Sequence, residues 1–174
     1  MEQPKTRAAI SYRYSVQAGD KEQVAQVVQS TGFFTEGDCA IAVELVEIAL
    51  KHPSSDEYRF IFAESGGVVA GYSCYGRIPL TQSSYDMYWL AVRNTSRRSG
   101  IGRQLLKRTE QEIVNEGGTR VYLDTSGRAL YDPTRKFYEA HGYRVDAVLQ
   151  DFYAAGDPKV IYVKQFEGSS VLTA

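Results

Sequence analysis

The feature that most constrains this fold is a glycine motif, Arg-Arg-Ser-Gly-Ile-Gly at residues 97–102, between a strand and a helix. Residues 87–92, just before it, are aromatic and branched over the length of a strand, which predicts a buried strand. Residues 103–116, just after it, have the pattern of an amphipathic helix that ends at Gly117-Gly118. The predicted buried face of that helix consists of Leu105, Leu106, Thr109 and Ile113.

The order of strand, glycine loop and helix predicts a site for a polyanion such as a pyrophosphate. Glycine lets the backbone approach an anion closely because no Cβ intervenes, and the first N–H groups of a helix are unpaired donors. Guanidinium groups suit phosphate oxygens, since each can bind two of them at once. The predicted binding residues are Arg97, Arg98, Ser99, Gly100, Ile101, Gly102 and Arg103.

Two nucleotide motifs compete for these glycines. A phosphate-binding Walker loop needs Gly-Lys-Ser/Thr, but Gly102 is followed by Arg103 and Gln104, which excludes it. A dinucleotide fingerprint needs a third glycine where Leu105 stands, although Asp124 lies at a suitable distance for a ribose. A nicotinamide-dependent oxidoreductase therefore stays an alternative that Leu105 disfavours.

Residues 88–106, with Arg-x-x-Gly-x-Gly between strand and helix, resemble the acetyl-CoA motif of the GNAT superfamily of N-acetyltransferases. The strand at 121–125 and the run FYEAHGY at 137–143 resemble its second signature, a helix tyrosine followed by a glycine-aromatic stop. The resemblance covers nearly the whole chain and is weakest over residues 1–60, where no motif is available to match. It implies a single-domain α/β GNAT fold, with a mixed, mostly antiparallel central sheet flanked by helices.

The resemblance also implies an activity: transfer of an acetyl group from acetyl-CoA to a primary amine of a small molecule, peptide or protein, by direct attack. In the family, the donor's carbonyl and pantetheine arm pair with main-chain groups of the motif strand, here Leu90, Ala91 and Val92. Tyr138 matches the helix tyrosine that protonates the leaving thiolate. Tyr131 and Arg135 precede it on the same helix face and are further candidate cofactor contacts. A CoA-binding regulatory module without catalysis is the alternative.

The general base is left open by the sequence. Asp124 is the first choice because it lies on the strand before the Tyr138 helix, where some members of the family carry a base glutamate. Asp86, at the start of the motif strand, and Glu36, between the first two predicted helices, are the other candidates. An ordered water molecule could also serve.

The chain is rich in aromatic residues, which indicates a partly apolar acceptor. The residues predicted to supply that pocket are Phe33, Phe34, Tyr75, Tyr85, Trp89, Phe152 and Tyr153. Each of these side chains could equally well be a core residue.

Length and charge agree with one domain of this kind. The 174 residues suffice for one sizeable core, which is predicted over residues 9–166 with loose ends at 1–8 and 167–174. The net charge of −1, with both signs interspersed, argues against a nucleic-acid surface. No leader-like or membrane-spanning apolar run occurs, which predicts a cytoplasmic protein.

Cysteine and histidine are too few for a disulfide framework or a metal cluster. Cys39 and Cys74 are expected to be buried free thiols, and His52 and His141 each fall at a predicted helix end. No metal is therefore predicted. The only cofactor expected is acetyl-CoA, as the acyl donor.

Local patterns predict the remaining elements. A strand at 10–16 precedes a helix in which Asp20 caps the N-terminus and Gln23 reaches back. A second helix at 39–51 buries Ile41, Leu45 and Ile48. Strands at 59–64 and 68–76 form a tight hairpin, a helix capped by Asp132 starts at Pro133, and strands at 144–153 and 160–164 close the sheet. Exposed sheet edges favour a homodimer.

Overall fold

The computed structural model describes residues 9–166, so the predicted loose ends at 1–8 and 167–174 lie outside the described residues. The strands of the described part are β1 (Ile10–Arg13), β2 (Arg59–Ser65), β3 (Val68–Arg77), β4 (Ser84–Val92), β5 (Arg120–Ser126), β6 (Arg144–Ala154) and β7 (Asp157–Gln165). Its helices are α1 (Asp20–Ser30), α2 (Glu36–Lys51), α3 (Ile101–Asn115) and α4 (Asp132–Ala140). The order of elements matches the predicted one.

The described strands form one mixed sheet in the order β1-β2-β3-β4-β5-β7-β6. Antiparallel pairing joins β1 to β2, β2 to β3, β5 to β7 and β6 to β7, whereas β4 and β5 run parallel. The parallel pairing is short, since it extends only from Ser84 opposite Arg120 to Asp86 opposite Tyr122. Beyond this point β5 continues to Ser126, paired with β7 along its other edge.

The chain forms two compact units. Among the described residues, the first contains residues 9–75 together with Trp89–Thr109. Within it, α1 and α2 bury Val24, Val28 and Leu45 against aromatic side chains of β2 and β3, which include Phe62 and Tyr72. On the opposite face of β3, the Ser73 hydroxyl lies 2.7 Å from the Thr109 hydroxyl of α3. This part of the sheet is therefore covered by helices on both faces.

The second unit contains Gly76–Tyr88 and residues 110–166. Helix α4 covers one face of its strands, where the ring of Tyr138 lies 6.3 Å from that of Tyr162 in β7. The Tyr162 hydroxyl donates to Glu139 of the same helix. Because side chains alternate along a strand, Lys159 and Ile161 of β7 face the other way. That second face carries polar side chains.

The predicted cap of α1 is wrong. Gly19 is the N-cap residue, and Asp20 makes no side-chain cap bond. Asp20 is instead buried, where its carboxylate pairs with Arg13 of β1 at 2.7 Å and accepts the Gln17 N–H. Gln23 accepts the N–H of Val69 rather than reaching back. Arg13, seven residues earlier in the preceding strand, therefore binds the carboxylate that was predicted to cap the helix.

Two other helix details differ from the prediction. Helix α2 starts three residues earlier than expected because Thr35 and Asp38 form a capping box, and Ile41 is 52% exposed rather than buried. In α4 the N-cap is Tyr131, while Asp132 lies in the first turn and is bonded to Arg135. Apart from these details, both helices occupy the predicted segments of the chain.

Two local predictions are confirmed, namely the hairpin turn and the buried free thiols. The hairpin between β2 and β3 turns at Gly66 and Gly67, whose φ angles of 59° and 80° fall in the left-handed region that glycine tolerates. Cys39 and Cys74 are buried free thiols. Among the described residues, the helices are all too short or too polar to cross a membrane.

Gly71 of β3 is predicted to be essential for the packing of β4. A Cβ at this position would lie 2.8 Å from the Ala91 carbonyl oxygen and 3.3 Å from Ile101, so Gly71→Ala should lower the free energy of unfolding by about 1–3 kcal/mol in urea titration. Gly37→Ala is the control, because its Cβ would meet only the Thr35 hydroxyl at 3.6 Å in α2, and should raise stability by about 0.5 kcal/mol. Equal stability of Gly71→Ala and wild type would contradict this packing.

Candidate active site

The predicted anion loop joins β4 to α3 with backbone geometry suited to binding oxyanions. Arg98 and Gly100 both have left-handed φ angles, 57° and 82°. Helix α3 begins at Ile101, and its first backbone bond runs from the Gln104 N–H to the Gly100 carbonyl at 3.0 Å. The N–H groups of residues 101–103 therefore precede the first helical bond and are donors available to a ligand.

The arginines of this loop differ in their surroundings. Arg98 and Arg103 are exposed, so both guanidinium groups are accessible to an anion. Arg97 is half-buried, with its guanidinium 4.9 Å from the centre of the Phe33 ring, and burial lowers the pKa of Arg97. Ser99 donates its hydroxyl hydrogen to the Ser96 carbonyl, which holds the loop in shape. Arg98 and Arg103 are thus the more accessible cations.

The strand residues predicted to bind the donor lie next to this loop. Ala91 is buried, whereas Leu90 and Val92 are half-buried. The Arg93 N–H donates to the Ala70 carbonyl at 2.8 Å, which ties the end of β4 to β3. The main chain of residues 90–92 is therefore held in a fixed position.

A cavity of about 490 Å³ lies in the second unit, where β4 and β5 stop pairing. Its residues come from three neighbouring strands and include both predicted aspartates. They are Asp86, Met87, Tyr88, Tyr122, Leu123, Asp124, Lys159 and Ile161. The volume suits a small molecule.

Asp124 makes two polar contacts with other side chains at this cavity. One oxygen accepts the Tyr153 hydroxyl at 2.7 Å, and the other lies 3.1 Å from the Lys159 ammonium. Burial and the bond to Asp124 raise the pKa of Tyr153, so this hydroxyl keeps its proton and remains a donor. These two contacts hold the Asp124 carboxylate in place.

Asp86 lines the same cavity and is half-buried. Burial and the negative charge of Asp124 raise the pKa of Asp86, and the charge of Lys159 opposes them. A carboxylate whose pKa is raised is a stronger base once ionised. The geometry therefore brings two predicted candidates, Asp86 and Asp124, into one cavity and distinguishes their environments.

Tyr138 is buried on the α4 face of the second unit. Its ring meets that of Tyr143 edge-on, with centroids 5.5 Å apart. Burial first, and then the charge of Asp124, raise the pKa of Tyr138, so the phenol holds its proton at neutral pH. Because Tyr162 and Ile161 alternate along β7, Tyr138 lies on the opposite face of the sheet from the cavity side chains of β7.

The two candidate contacts that precede Tyr138 have different surroundings. Tyr131 is half-buried at the N-cap of α4, with the Arg128 guanidinium 5.8 Å from its ring. Arg135 donates to the Ser126 carbonyl at 2.6 Å and to the Arg128 carbonyl, and it also bonds Asp132. The Arg135 side chain therefore fixes the loop that follows β5.

The aromatic residues predicted for an acceptor pocket separate into three groups. Tyr75 and Tyr85 are buried core residues. In the first unit, the ring of Phe34 contacts that of Trp89 edge-on at 4.9 Å, and the Phe33 ring lies 4.9 Å from the Arg97 guanidinium. Phe152 and Tyr153 are about half exposed and contact Lys159 and Asp124 of the cavity.

Glu36, the third base candidate, is the first residue of α2 in the first unit and is exposed. It borders a surface groove beside Gln29, Glu44 and Glu47. Its carboxylate is part of a solvated acidic surface rather than of the Asp86 cavity lining.

The sequence interpretation missed Lys159. Its ammonium lies over the Phe152 ring at 4.8 Å and pairs with Asp124, so it balances charge in the cavity. Alternation along the last strand could have placed Lys159 and Ile161 on one face. Only the register of β7 against β5, where Ile161 lies opposite Asp124, assigns that face to the cavity.

The sequence model of the acetyltransferase (GNAT) family matches residues 24–143. An uncharacterized N-acetyltransferase, YsnE of Bacillus subtilis strain 168, is 29% identical over 66 residues, which span 38% of this chain and 42% of that protein. The chain thus matches less than half the length of this curated relative.

Solved structures agree with the family match. A protein from Desulfovibrio desulfuricans described as a GNAT-family acetyltransferase is 43% identical, with 90% of this chain and 99% of that chain covered and a TM-score of 0.86. The PaiA N-acetyltransferase from Thermoplasma acidophilum, solved in complex with coenzyme A, is 17% identical, with 91% and 99% coverage and a TM-score of 0.70. At that identity the second likeness concerns the fold alone.

The charges of Asp124 and Lys159 should shift the pKa of Asp86 in opposite directions. The Asp86 carboxyl should titrate above its ordinary value near 3.8, as followed by carbon-detected NMR. Asp124→Asn removes a repelling negative charge and should lower this midpoint, whereas Lys159→Met removes an attracting positive charge and should raise it. Shifts of the same sign in the two variants would contradict the assigned arrangement.

Proposed function

The chain belongs to the acetyltransferase (GNAT) family, and on this premise we propose that it transfers the acetyl group of acetyl-CoA to a primary amine by direct attack. It is an acyltransferase with the GNAT fold. The acceptor is an amine of a small molecule, peptide or protein. The observation that carries the proposal is the arrangement around the cavity, with two carboxylates on one face of the strands and a buried phenol on the other.

The donor is proposed to bind through the anion loop and the end of β4. Residues 97–103 would hold the pyrophosphate with free N–H groups and with the exposed guanidinium groups of Arg98 and Arg103. Main-chain groups of residues 90–92 would bind the acyl and pantetheine arm. When bound, acetyl-CoA supplies a thioester carbonyl for attack and a thiol as leaving group.

Asp86 is proposed to be the general base. An amine attacks only as its neutral form, so a proton must leave the acceptor's ammonium group. Asp86 can take that proton directly or through water, because its carboxylate lines the cavity and its pKa is raised. Asp124, which is held by Lys159 and Tyr153, would attract and orient the ammonium group. The first choice from the sequence thus becomes the positioning residue.

Tyr138 is proposed to be the general acid. The C–N bond forms as the C–S bond breaks, which releases a thiolate that must gain a proton. The nitrogen loses one proton on becoming an amide, and that proton can restore the phenol of Tyr138. A buried phenol with a raised pKa retains its proton for this step, and the same burial raises the pKa of a thiol that leaves beside it. Acid and base on opposite faces allow the amine to enter from one side and the thiol to leave on the other.

The remaining predicted features keep the status of predictions. Tyr131 and Arg135 are proposed to contact the donor, and the bonds of Arg135 to Ser126 and Arg128 would let it position the loop there. A domain spanning residues 9–166, a cytoplasmic location and a homodimer also remain predictions.

Gly100→Asp should weaken coenzyme A binding by at least about tenfold, as measured by calorimetry. The substitution places a negative side chain in the anion loop and a Cβ at a φ of 82°. Gly67→Asp is the matched control, because the hairpin glycine has a φ of 80°, and it should leave the Kd unchanged. Equal affinities of the two variants for coenzyme A would show that its phosphates bind outside residues 97–103.

Tyr138→Phe should reduce kcat about a hundredfold while the Kd for acetyl-CoA changes less than about threefold. The release of thiol with a panel of primary amines measures the first value, and calorimetry measures the second. Tyr143→Phe removes a neighbouring hydroxyl that donates to Glu110 and should leave kcat near that of wild type. An unchanged kcat in Tyr138→Phe would contradict its role as acid, and coenzyme A binding without turnover in wild type would favour a regulatory module.

A further inference from the structure

A bulge in β6 places two aromatic residues beside the Asp86 cavity. Pairing between β6 and β7 shifts between Leu149 and Ala154, and Asp151 within this stretch has a left-handed φ of 53°. The Asp151 carboxylate accepts the Gly156 N–H at 2.6 Å, which fixes the bulge. Bulges of this kind often re-aim side chains next to a functional site.

The two aromatic side chains are tied to cavity residues yet remain accessible. Phe152 is 52% exposed and Tyr153 is 48% exposed, and their rings meet edge-on at 5.0 Å. Phe152 receives the Lys159 ammonium over its ring, and Tyr153 donates to Asp124. Their accessible aromatic surface therefore borders a polar cavity and can receive an apolar part of a ligand.

The charge of the cavity favours a cationic group at the other end of that ligand. Asp86 and Asp124 outnumber the single cation Lys159, so the ionised cavity carries one excess negative charge. The contacts of Lys159 with Asp124 and Phe152 leave its ammonium committed to the protein. An incoming ammonium group would neutralise the excess charge beside Asp86.

Resting on the proposed transfer function, we propose that the acceptor is an aromatic primary amine without a carboxylate next to its amino group. Its ammonium group would lie at Asp86 and its ring against Phe152 and Tyr153. Tyr88 and Tyr122 of the cavity lining add further aromatic surface. The cavity volume of about 490 Å³ accommodates a single-ring amine.

An amino acid with the same ring would bind less well. Its carboxylate is attached to the carbon that bears the amine, so it would enter the same region as Asp86 and Asp124. Like charges repel at this range, and Lys159 could pair with the new carboxylate only by leaving Asp124. The expected loss of affinity is about tenfold or more.

Tyramine and tyrosine form a matched pair of probes, since they differ only in the carboxylate. Calorimetry with the protein saturated in coenzyme A should give a Kd for tyramine at least about tenfold lower than that for tyrosine. Propylamine, which lacks the ring, should also bind at least about tenfold more weakly than tyramine. Equal binding of tyramine and tyrosine would overturn the inference.

Substitutions at two exposed residues of β6 test the contact between the ligand ring and Phe152. Phe152→Ala should raise the Kd of tyramine about tenfold, whereas Val145→Ala, at a residue that is 46% exposed on the same strand, should not change it. Phe152→Tyr keeps the ring and should retain tight binding. If Phe152→Ala binds tyramine as tightly as wild type, the aromatic bulge is not part of the acceptor site.

Turnover with acetyl-CoA separates this inference from the proposed function. Selective tyramine binding without acetylation would support the acceptor site and contradict the transferase function. Acetylation of propylamine and tyrosine as efficiently as tyramine would support the transferase function and overturn the inferred acceptor class.

Discussion

The short pairing of β4 with β5 is the constraint on which the candidate site depends. The two parallel strands share a register only from Ser84 to Asp86, after which β5 bonds to β7 alone among its described partners. Backbone groups that no longer pair with a neighbouring strand must find other partners, and a ligand arm can supply them. The end of this pairing also opens the cavity in which Asp86 and Asp124 lie. The proposed reaction takes place in this cavity at the break in the sheet.

Alternation along β7 places Tyr138 and the cavity side chains on opposite faces of the strands in the second unit. Tyr162 packs on α4 beside Tyr138, while Ile161 and Lys159 face the cavity. In the proposed reaction, Asp86 would take a proton from the amine on one face, and Tyr138 would give a proton to the thiolate on the other. Lys159 holds the Asp124 carboxylate, while burial and the charge of Asp124 raise the pKa of Asp86. The different roles proposed for Asp86 and Asp124 follow from these different surroundings.

Local features of this chain could be predicted from sequence, and long-range ones could not. The position of the glycine loop between β4 and α3 and the buried face of α3 are confirmed, because spacing within one segment determines them. The predicted cap of α1 is wrong, because the Asp20 carboxylate pairs with Arg13 of β1 and not with the backbone at the start of the helix. The pairing of β5 with β7 and the bulge at Asp151 place Lys159 and Phe152 at the cavity, and neither leaves a local signal. Family resemblance supplied the role of Tyr138, which helical position alone does not distinguish from a core aromatic residue.

Initial-velocity kinetics with acetyl-CoA and tyramine tests most directly whether the amine attacks the donor itself. Direct attack requires both reactants on the protein at once, so double-reciprocal plots at several tyramine concentrations should intersect, and the intact mass of the protein incubated with acetyl-CoA alone should not change. Parallel lines, together with a stable acetylated form of the protein, would show a covalent intermediate and would contradict the account in which Asp86 and Tyr138 serve a single transfer step.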